Sequence, residues 1–118
     1  MKIYAFDVDE TLDIAGGPVD LSDVIQLTLD DHCVGLCGNW ALVTALYPNQ
    51  WFDVFSFLGP MLMTKAEFLN QLRNYIPAED YVMVGNDPLV FGQSQDAEAA
   101  KTAGWRFINE HDFADGLR

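Results

Sequence analysis

Short apolar runs alternate along this chain with stretches in which apolar residues recur at helical spacing. The continuous runs predict five buried strands, at residues 2–6, 34–37, 51–58, 81–85 and 105–108. Helical spacing predicts four helices between them, at residues 21–29, 40–46, 65–76 and 94–103. The last residues, 111–118, are mostly polar and predict a short tail. Strands that alternate with helices are typical of an α/β domain with a parallel sheet, which is the class we expect.

Capping residues mark where three of these helices begin or end. Asp20 precedes the first helical stretch, a position at which an Asp side chain accepts a backbone N–H. Thr64, followed three residues later by Glu67, has the pattern of a capping box and predicts that Lys65 lies in the first helical turn. Gly104 follows the last helical stretch and is typical of a helix C-terminus.

The length and charge of the chain restrict its class of function. With 118 residues it is long enough for one domain, 1–118, with a single core. Six basic residues against eighteen acidic ones give a net charge of −12. Such a charge opposes sequence-independent binding to nucleic acid and to anionic membrane surfaces, so we expect neither as a partner.

The cysteines and the hydropathy of the chain favour a cytoplasmic protein. Cys33 and Cys37 lack the spacing of a redox or zinc pair, and we expect free buried thiols, as in a reducing compartment. The sequence has no apolar stretch long enough to span a bilayer, and its N-terminus lacks the signal-peptide pattern.

The first predicted strand ends in two acids separated by one residue. In an extended backbone, residues two apart point to the same face, so we expect the carboxylates of Asp7 and Asp9 to lie together. Two crowded carboxylates repel each other unless a cation lies between them or one is protonated. Their oxygens suit a hard ion such as Mg²⁺, which leaves room for a phosphate. The strand end therefore predicts a Mg²⁺ site, with the start of a polar loop as the simpler alternative.

The same strand end resembles a known motif. Residues 7–12 read Asp-Val-Asp-Glu-Thr-Leu after an apolar strand, which resembles the first motif of the haloacid dehalogenase (HAD) superfamily of phosphatases and phosphotransferases. The resemblance implies that Asp7 is the nucleophile that accepts the phosphoryl group. It implies that Asp9 is the general acid/base, with its backbone carbonyl helping to hold Mg²⁺. It also places Thr11 in the substrate site, where it supports the turn that follows.

Further positions match the family or depart from it. Lys65 matches the lysine that reaches the nucleophile and the substrate phosphate, the alternative being an ordinary solvated lysine. Residues 81–87 resemble the last motif, which implies that Asp87 is a metal ligand. Asn86 stands where the first acid of that motif often lies, and is a candidate for a water-mediated contact to the metal. Asp96 lies farther along the chain than the family's spacing, so we expect an acid that only favours its helix start.

The end of the second predicted strand departs most clearly from the family. Gly38 occupies the position of a Ser or Thr that bonds the phosphate. Asn39 provides a side-chain donor, and a glycine at a helix start allows close backbone contact with an anion. We therefore place Gly38 and Asn39 in the substrate site, with a tight turn and a helix cap as the alternative reading.

The resemblance covers nearly the whole chain and implies a fold and an activity. The fold is a three-layer αβα, Rossmann-like domain with a parallel sheet in the order 3-2-1-4-5 and no cap domain, since the links between elements are short. The activity is Mg²⁺-dependent hydrolysis of a phosphomonoester through an aspartyl phosphate on Asp7. The phosphorylated substrate is a small molecule or a macromolecule, and the open site suits a large substrate or closure by another subunit of a homo-oligomer.

Two other functions remain open at the level of sequence. A bacterial receiver domain has similar length and a phosphorylated Asp, but its acidic pair and its phosphorylated residue lie on different strands. A degenerate HAD fold that binds phosphate or a partner without turnover is the second, because positions 38, 86 and 96 depart from the family pattern.

Overall fold

The structure is a computed structural model that describes residues 1–47, 50–86 and 95–118. The strands in these ranges are β1 (Lys2–Phe6), β2 (Cys33–Cys37), β3 (Phe57–Gly59), β4 (Asp80–Gly85) and β5 (Arg106–Asn109). They are parallel and form one sheet in the order β3-β2-β1-β4-β5. The predicted α/β class, the five parallel strands and their order are therefore confirmed.

Helices cover both faces of this sheet. They are α1 (Leu21–Leu29), α2 (Trp40–Leu46), α3 (Trp51–Val54), α4 (Lys65–Tyr75), α5 (Asp96–Ala103) and α6 (Glu110–Ala114). Tyr4 and Phe6 enter a core shared with α1, α2 and α6, whereas Ile3 and Ala5 enter a second core shared with α4 and α5. Neighbouring strand residues point to opposite faces, so β1 supplies both cores and the fold has three layers.

The predicted caps position the helices. Asp20 accepts a hydrogen bond of 2.9 Å from the backbone N–H of Ser22 at the start of α1. Thr64 accepts one of 3.1 Å from the N–H of Glu67 at the start of α4. Gly104 ends α5 with a φ of 75°, in the left-handed region that favours glycine. These local signals include the one that places Lys65 at the first position of α4.

The aromatic run at residues 51–58, predicted as one strand, is not one strand. It forms α3 and the three-residue strand β3. The rings of Trp51 and Phe52 pack edge to face at 5.8 Å within α3, and Phe57 packs against Phe68 of α4 at 6.0 Å. Aromatic residues favour strands because they fit a half-buried surface, but this preference depends on context and does not by itself determine the element.

The predicted polar tail is also wrong, because residues 110–114 form α6. Asn109 caps this helix by accepting a 2.8 Å hydrogen bond from the N–H of His111. Phe113 is fully buried, and its ring lies 5.2 Å from that of Phe6 at nearly a right angle. A single apolar anchor in a polar stretch has no readable periodicity, which explains why the sequence did not predict this helix.

The carboxyl ends of β1, β2 and β4 lie side by side, because β1 pairs with both of the others. The chain leaves these ends at Asp7, Gly38 and Asn86. The link after β1 holds a short 3-10 helix, Asp13–Ala15, and the link from β3 to α4 spans residues 60–64, so neither carries an inserted domain. Among the helices of the described residues, none has the length and hydropathy needed to cross a membrane.

Candidate active site

Asp7 lies at the carboxyl end of the central strand. Its backbone N–H donates to the carbonyl of Val84 at 2.9 Å, so strand pairing continues through this residue and fixes its direction. The residue is only 4% exposed. Its Oδ1 accepts a hydrogen bond from Lys65 Nζ at 3.0 Å, and its Oδ2 accepts one from Asn86 Nδ2 at 2.9 Å. The carboxylate is thus buried and held by donors on both oxygens.

Lys65 links Asp7 to a second buried acid. Its Nζ lies 2.7 Å from Oδ1 of Asp96, the first residue of α5, in addition to the contact with Asp7. The other oxygen of Asp96 accepts the backbone N–H of Asn86 at 3.0 Å. A Cβ at Gly85 would lie 2.3 Å from Oδ2 of Asp96, so glycine at the end of β4 provides the space for this acid. The lysine predicted from sequence is therefore shared by two carboxylates.

Burial and charge shift the protonation of this cluster. Burial, and after it the carboxylate of Asp96, raise the pKa of Asp7 from 3.8 to about 6, against the opposing effect of Lys65. Burial alone would lower the pKa of Lys65, but the carboxylates of Asp7 and Asp96 outweigh burial and raise it above its ordinary value. At neutral pH Lys65 is charged and Asp7 is mostly ionised.

Asp9 has a different environment from Asp7. Its side chain is exposed, and its Oδ1 accepts a hydrogen bond of 3.0 Å from Asn39 Nδ2. Asn39 occupies the N-cap position of α2 but makes no side-chain cap hydrogen bond. The structure therefore places Asn39 against the second acid, and its role in the substrate site stays a prediction.

Gly38 lies against Asp7. A Cβ at this position would be 2.3 Å from Oδ1 of Asp7, so only a residue without a side chain leaves that carboxylate in place. The backbone N–H of Gly38 donates to the carbonyl of Gly59 at 2.9 Å. The expected contact between this amide and a substrate anion is therefore not supported, because the amide already has a backbone acceptor. The glycine makes room for the anion of Asp7 itself.

Thr11 lies behind Asp7 and is fully buried. Its Oγ1 is 3.0 Å from Oδ1 of Asn86 and 2.7 Å from Oε2 of Glu110. Glu10, beside it, has a φ of 59°, which marks the tight turn after β1. The hydroxyl of Thr11 contacts other side chains of the site and not the open edge, and its place in the substrate site stays a prediction.

The sequence does not predict two members of the cluster, Asp96 and Glu110, and for Asn86 it predicts only a water-mediated contact to the metal. The spacing of Asp96 in the chain predicts no role at the site, but α5 begins at this residue and places its side chain against Lys65. Glu110 precedes the stretch that was predicted as a tail. The usable signal was Asn109, a capping residue directly before it. The predicted metal ligand Asp87 lies outside the described residues, so its role stays a prediction from sequence.

The ligand atoms at this edge suit a hard cation. Carboxylate oxygens of Asp7 and Asp9 are what Mg²⁺ prefers. Burial raises the pKa of the neighbouring Cys37 thiol to about 12, so it stays protonated and does not favour zinc. Within residues 1–47, 50–86 and 95–118, no three His, Cys, Asp or Glu side chains converge as a metal site. A Mg²⁺ site at this edge therefore stays a prediction from sequence, in which Asp87 is a further candidate ligand.

Comparison with known proteins gives no relative for this chain. No family model, no curated protein and no solved structure matches it.

Proposed function

We propose that the protein is a Mg²⁺-dependent phosphatase of the haloacid dehalogenase type, which hydrolyses a phosphomonoester through an aspartyl phosphate on Asp7. The observation that carries the proposal is the setting of Asp7, a buried carboxylate at a central strand end, 3.0 Å from the ammonium of Lys65 and 2.9 Å from the amide of Asn86. Such donors fix the direction of a nucleophile. The ammonium also offsets the charge of an incoming phosphate.

The chain's own residues divide the proposed reaction between them. Asp7 forms the new bond to phosphorus, and the ester oxygen leaves with the electron pair of the broken bond. Asp9 gives a proton to that oxygen and then takes one from the water that splits the aspartyl phosphate, which releases inorganic phosphate. Its exposure supports this role, since substrate and water reach it. Asp7, the carbonyl of Asp9 and Asp87 would hold Mg²⁺, whose charge would offset the repulsion between carboxylate and phosphate.

The substrate class follows from the open edge of the sheet. Asp9 and Asn39 are exposed, and the links after β1 and β3 carry no inserted domain. We therefore propose a phosphorylated macromolecule, or a small phosphate ester enclosed by a second copy of the chain. The net charge of −12 opposes a nucleic acid. The free thiols of Cys33 and Cys37 favour a reducing compartment such as the cytoplasm.

One alternative function has a specific observation in its favour. Lys65 contacts Asp7 and Asp96, and the amide of Asn39 donates to Asp9, so each of these side chains has a partner within the site that does not require turnover. A protein that binds phosphate or a partner without turnover would be built in this way. A receiver domain is disfavoured by topology, because its order 2-1-3-4-5 places the first strand beside the third, whereas here β1 lies between β2 and β4.

The test is hydrolysis of an aryl phosphate with Mg²⁺ and with EDTA. We expect Mg²⁺-dependent turnover that Asp7→Asn abolishes and that Asp53→Asn, at an exposed acid of α3, leaves unchanged. Asp9→Asn is expected to accept the phosphoryl group and release it slowly, so intact-mass measurement should detect a phosphorylated protein. Phosphate binding without turnover in the parent protein would support the alternative. Equal turnover by Asp7→Asn and the parent would refute the nucleophile.

A further inference from the structure

Four buried side chains form a row that ends at Asp7. Glu110 Oε2 lies 2.7 Å from Thr11 Oγ1, and Thr11 Oγ1 lies 3.0 Å from Asn86 Oδ1. Asn86 Nδ2 then donates to Asp7 Oδ2 at 2.9 Å. Each of the four residues is less than a tenth exposed. The row thus connects α6, which has no part in the proposed reaction, to the proposed nucleophile.

The number of protons in this row restricts the state of Glu110. The hydroxyl of Thr11 has one proton, but both of its neighbours in the row present an oxygen. The amide oxygen of Asn86 has no proton to give. If Glu110 is ionised, Thr11 donates to it, and the 3.0 Å contact from Thr11 to Asn86 joins two oxygens without a proton between them. If Glu110 is protonated, every contact in the row has one proton and all donate toward Asp7.

The surroundings of Glu110 shift its carboxyl group toward the protonated form. Burial raises the pKa of its carboxyl group, and the charges of Asp96 on α5 and Glu10 after β1 act in the same direction. The hydrogen bond from Thr11 and the charge of His111 on α6 itself oppose this shift. His111 is 70% exposed and its Nε2 lies 3.8 Å from Oε1 of Glu110, so solvent weakens its effect.

We infer that Glu110 is a positioning residue, a neutral carboxylic acid that acts through Thr11 to hold the amide nitrogen of Asn86 toward Asp7. A protonated Glu110 donates to Thr11, and Thr11 donates to the amide oxygen of Asn86. That orientation leaves the amide nitrogen facing the carboxylate of Asp7. The consequence for catalysis rests on the proposed function, in which Asp7 is the nucleophile. The hydrogen-bonded row itself does not.

The protonation of Glu110 is tested by infrared spectroscopy at pH 7, without substrate. We expect the parent protein to show the carbonyl band of a protonated carboxylic acid that is absent from Glu110→Gln, which has nearly the same shape. Glu98→Gln, at an exposed position of α5, is the matched control and should keep the band. If the difference spectrum of the parent and Glu110→Gln contains only carboxylate bands, Glu110 is ionised and the inference is wrong.

Its positioning effect is tested on the side-chain amide of Asn86 by NMR, with the signal assigned by its loss in Asn86→Asp. Removing the donor in Glu110→Ala or Thr11→Val should speed exchange of the amide protons about tenfold. Glu110→Gln should restore the parent rate to within about twofold, because its amide also donates. If Glu110→Ala folds by circular dichroism and exchange is unchanged, Glu110 does not position Asn86. If Glu110→Ala does not fold, amide exchange in Thr11→Val and the infrared comparison with Glu110→Gln still test whether Glu110 positions Asn86.

Kinetics separate this inference from the proposed function. With an aryl phosphate and Mg²⁺, Glu110→Ala should lower kcat about tenfold with KM within about twofold, and Glu110→Gln should recover kcat. If the parent protein has no activity while the infrared and exchange results are as expected, the phosphatase proposal fails and the row of hydrogen bonds stands. If activity is present and kcat is equal in Glu110→Ala and the parent, the row does not serve catalysis.

Discussion

The ion pairs at the amino ends of the strands (the amino edge) and at their carboxyl ends (the carboxyl edge) differ in their exposure to water. At the amino edge, Arg106 contacts Asp80 at 2.8 Å, and both side chains are about a third exposed or more. At the carboxyl edge, Lys65 contacts Asp7 and Asp96 at 3.0 and 2.7 Å, and the two acids are nearly or fully buried. The distances within the ion pairs are similar, so the two sets of ion pairs differ mainly in their access to water.

This difference separates stability from function. The charges of an exposed ion pair stay hydrated in both the folded and the unfolded state, so the pair contributes little to stability. A buried triad of two acids and one base loses hydration that its mutual attraction only partly returns, and it keeps a net negative charge. The raised pKa of Asp7, at about 6, records that cost. Such a cluster contributes little to the free energy of folding. It does provide a positioned carboxylate that a site for an anionic substrate or a cation can use.

Removing the shared cation should have the largest effect. Lys65→Met keeps an apolar stem but leaves Asp7 and Asp96 close together without a base. We expect the free energy of unfolding at pH 7 to fall by about 3 kcal/mol in urea denaturation, and catalytic activity to be lost. The loss of stability should shrink at pH 5, because protonation of Asp7 relieves the repulsion. Lys101→Met, at an exposed position of α5, is the control. An equal, small loss in both variants would contradict the comparison.

Asp7→Asn should act in the opposite direction. The folded pKa of about 6 exceeds the ordinary 3.8, so above pH 6 the ionised Asp7 costs the folded state roughly 2–3 kcal/mol. The cost grows as pH rises from 4 to 6 and vanishes where Asp7 is protonated in both states. We expect the variant to be about 1–2 kcal/mol more stable than the parent at pH 7.5 in EDTA, since the amide accepts less well from Lys65. The gain should be absent at pH 4. A variant that is less stable at pH 7.5 than the parent would show that Asp7 is a net stabiliser.

The sequence was sufficient for the parts of the molecule that depend on local or repeated patterns. Apolar runs predicted four of the five strands close to their observed places, Asp20, Thr64 and Gly104 predicted helix boundaries, and the spacing of Asp7 and Asp9 predicted two acids after the first strand. These features need only the periodicity of a strand or the chemistry of a cap. They also predicted a site at the carboxyl ends of the strands.

The sequence was insufficient where residues far apart in the chain come into contact in the fold. Lys65 reads as a cation at a helix start, a local cost of a few tenths of a kcal/mol, and only the fold shows that two buried acids face it. Asp96 and Glu110 come from elements far along the chain, and their contacts depend on how α5 and α6 return to the sheet. No local pattern encodes those distances.

Gly38 tests the close packing of the buried edge. A Cβ there would lie 2.3 Å from Oδ1 of Asp7, whose movement would break its bond to Lys65. Gly38→Ala should therefore lower stability by about 1–3 kcal/mol and reduce activity. In an Asp7→Ala background, which removes the clashing oxygen, the same change should cost less than about 1 kcal/mol. Urea denaturation of the four proteins measures the coupling. Additive costs would mean that Gly38 and Asp7 do not compete for space.

Asp80→Asn should have the smallest effect and completes the comparison at the exposed edge. Its hydrogen bond to Arg106 lowers the pKa of Asp80, so the pair adds stability above the ordinary pKa of an aspartate and loses it as pH falls. Water screens both side chains, and Arg106 also donates to the carbonyl of Arg118 at 2.7 Å, which keeps it in place. We expect a loss of at most about 0.5 kcal/mol at pH 7, reduced further in 0.5 M salt, on the order of the usual value for surface pairs. A loss above about 2 kcal/mol in urea denaturation would mean that exposure does not distinguish the two edges, because this pair would then rival the buried one at Lys65.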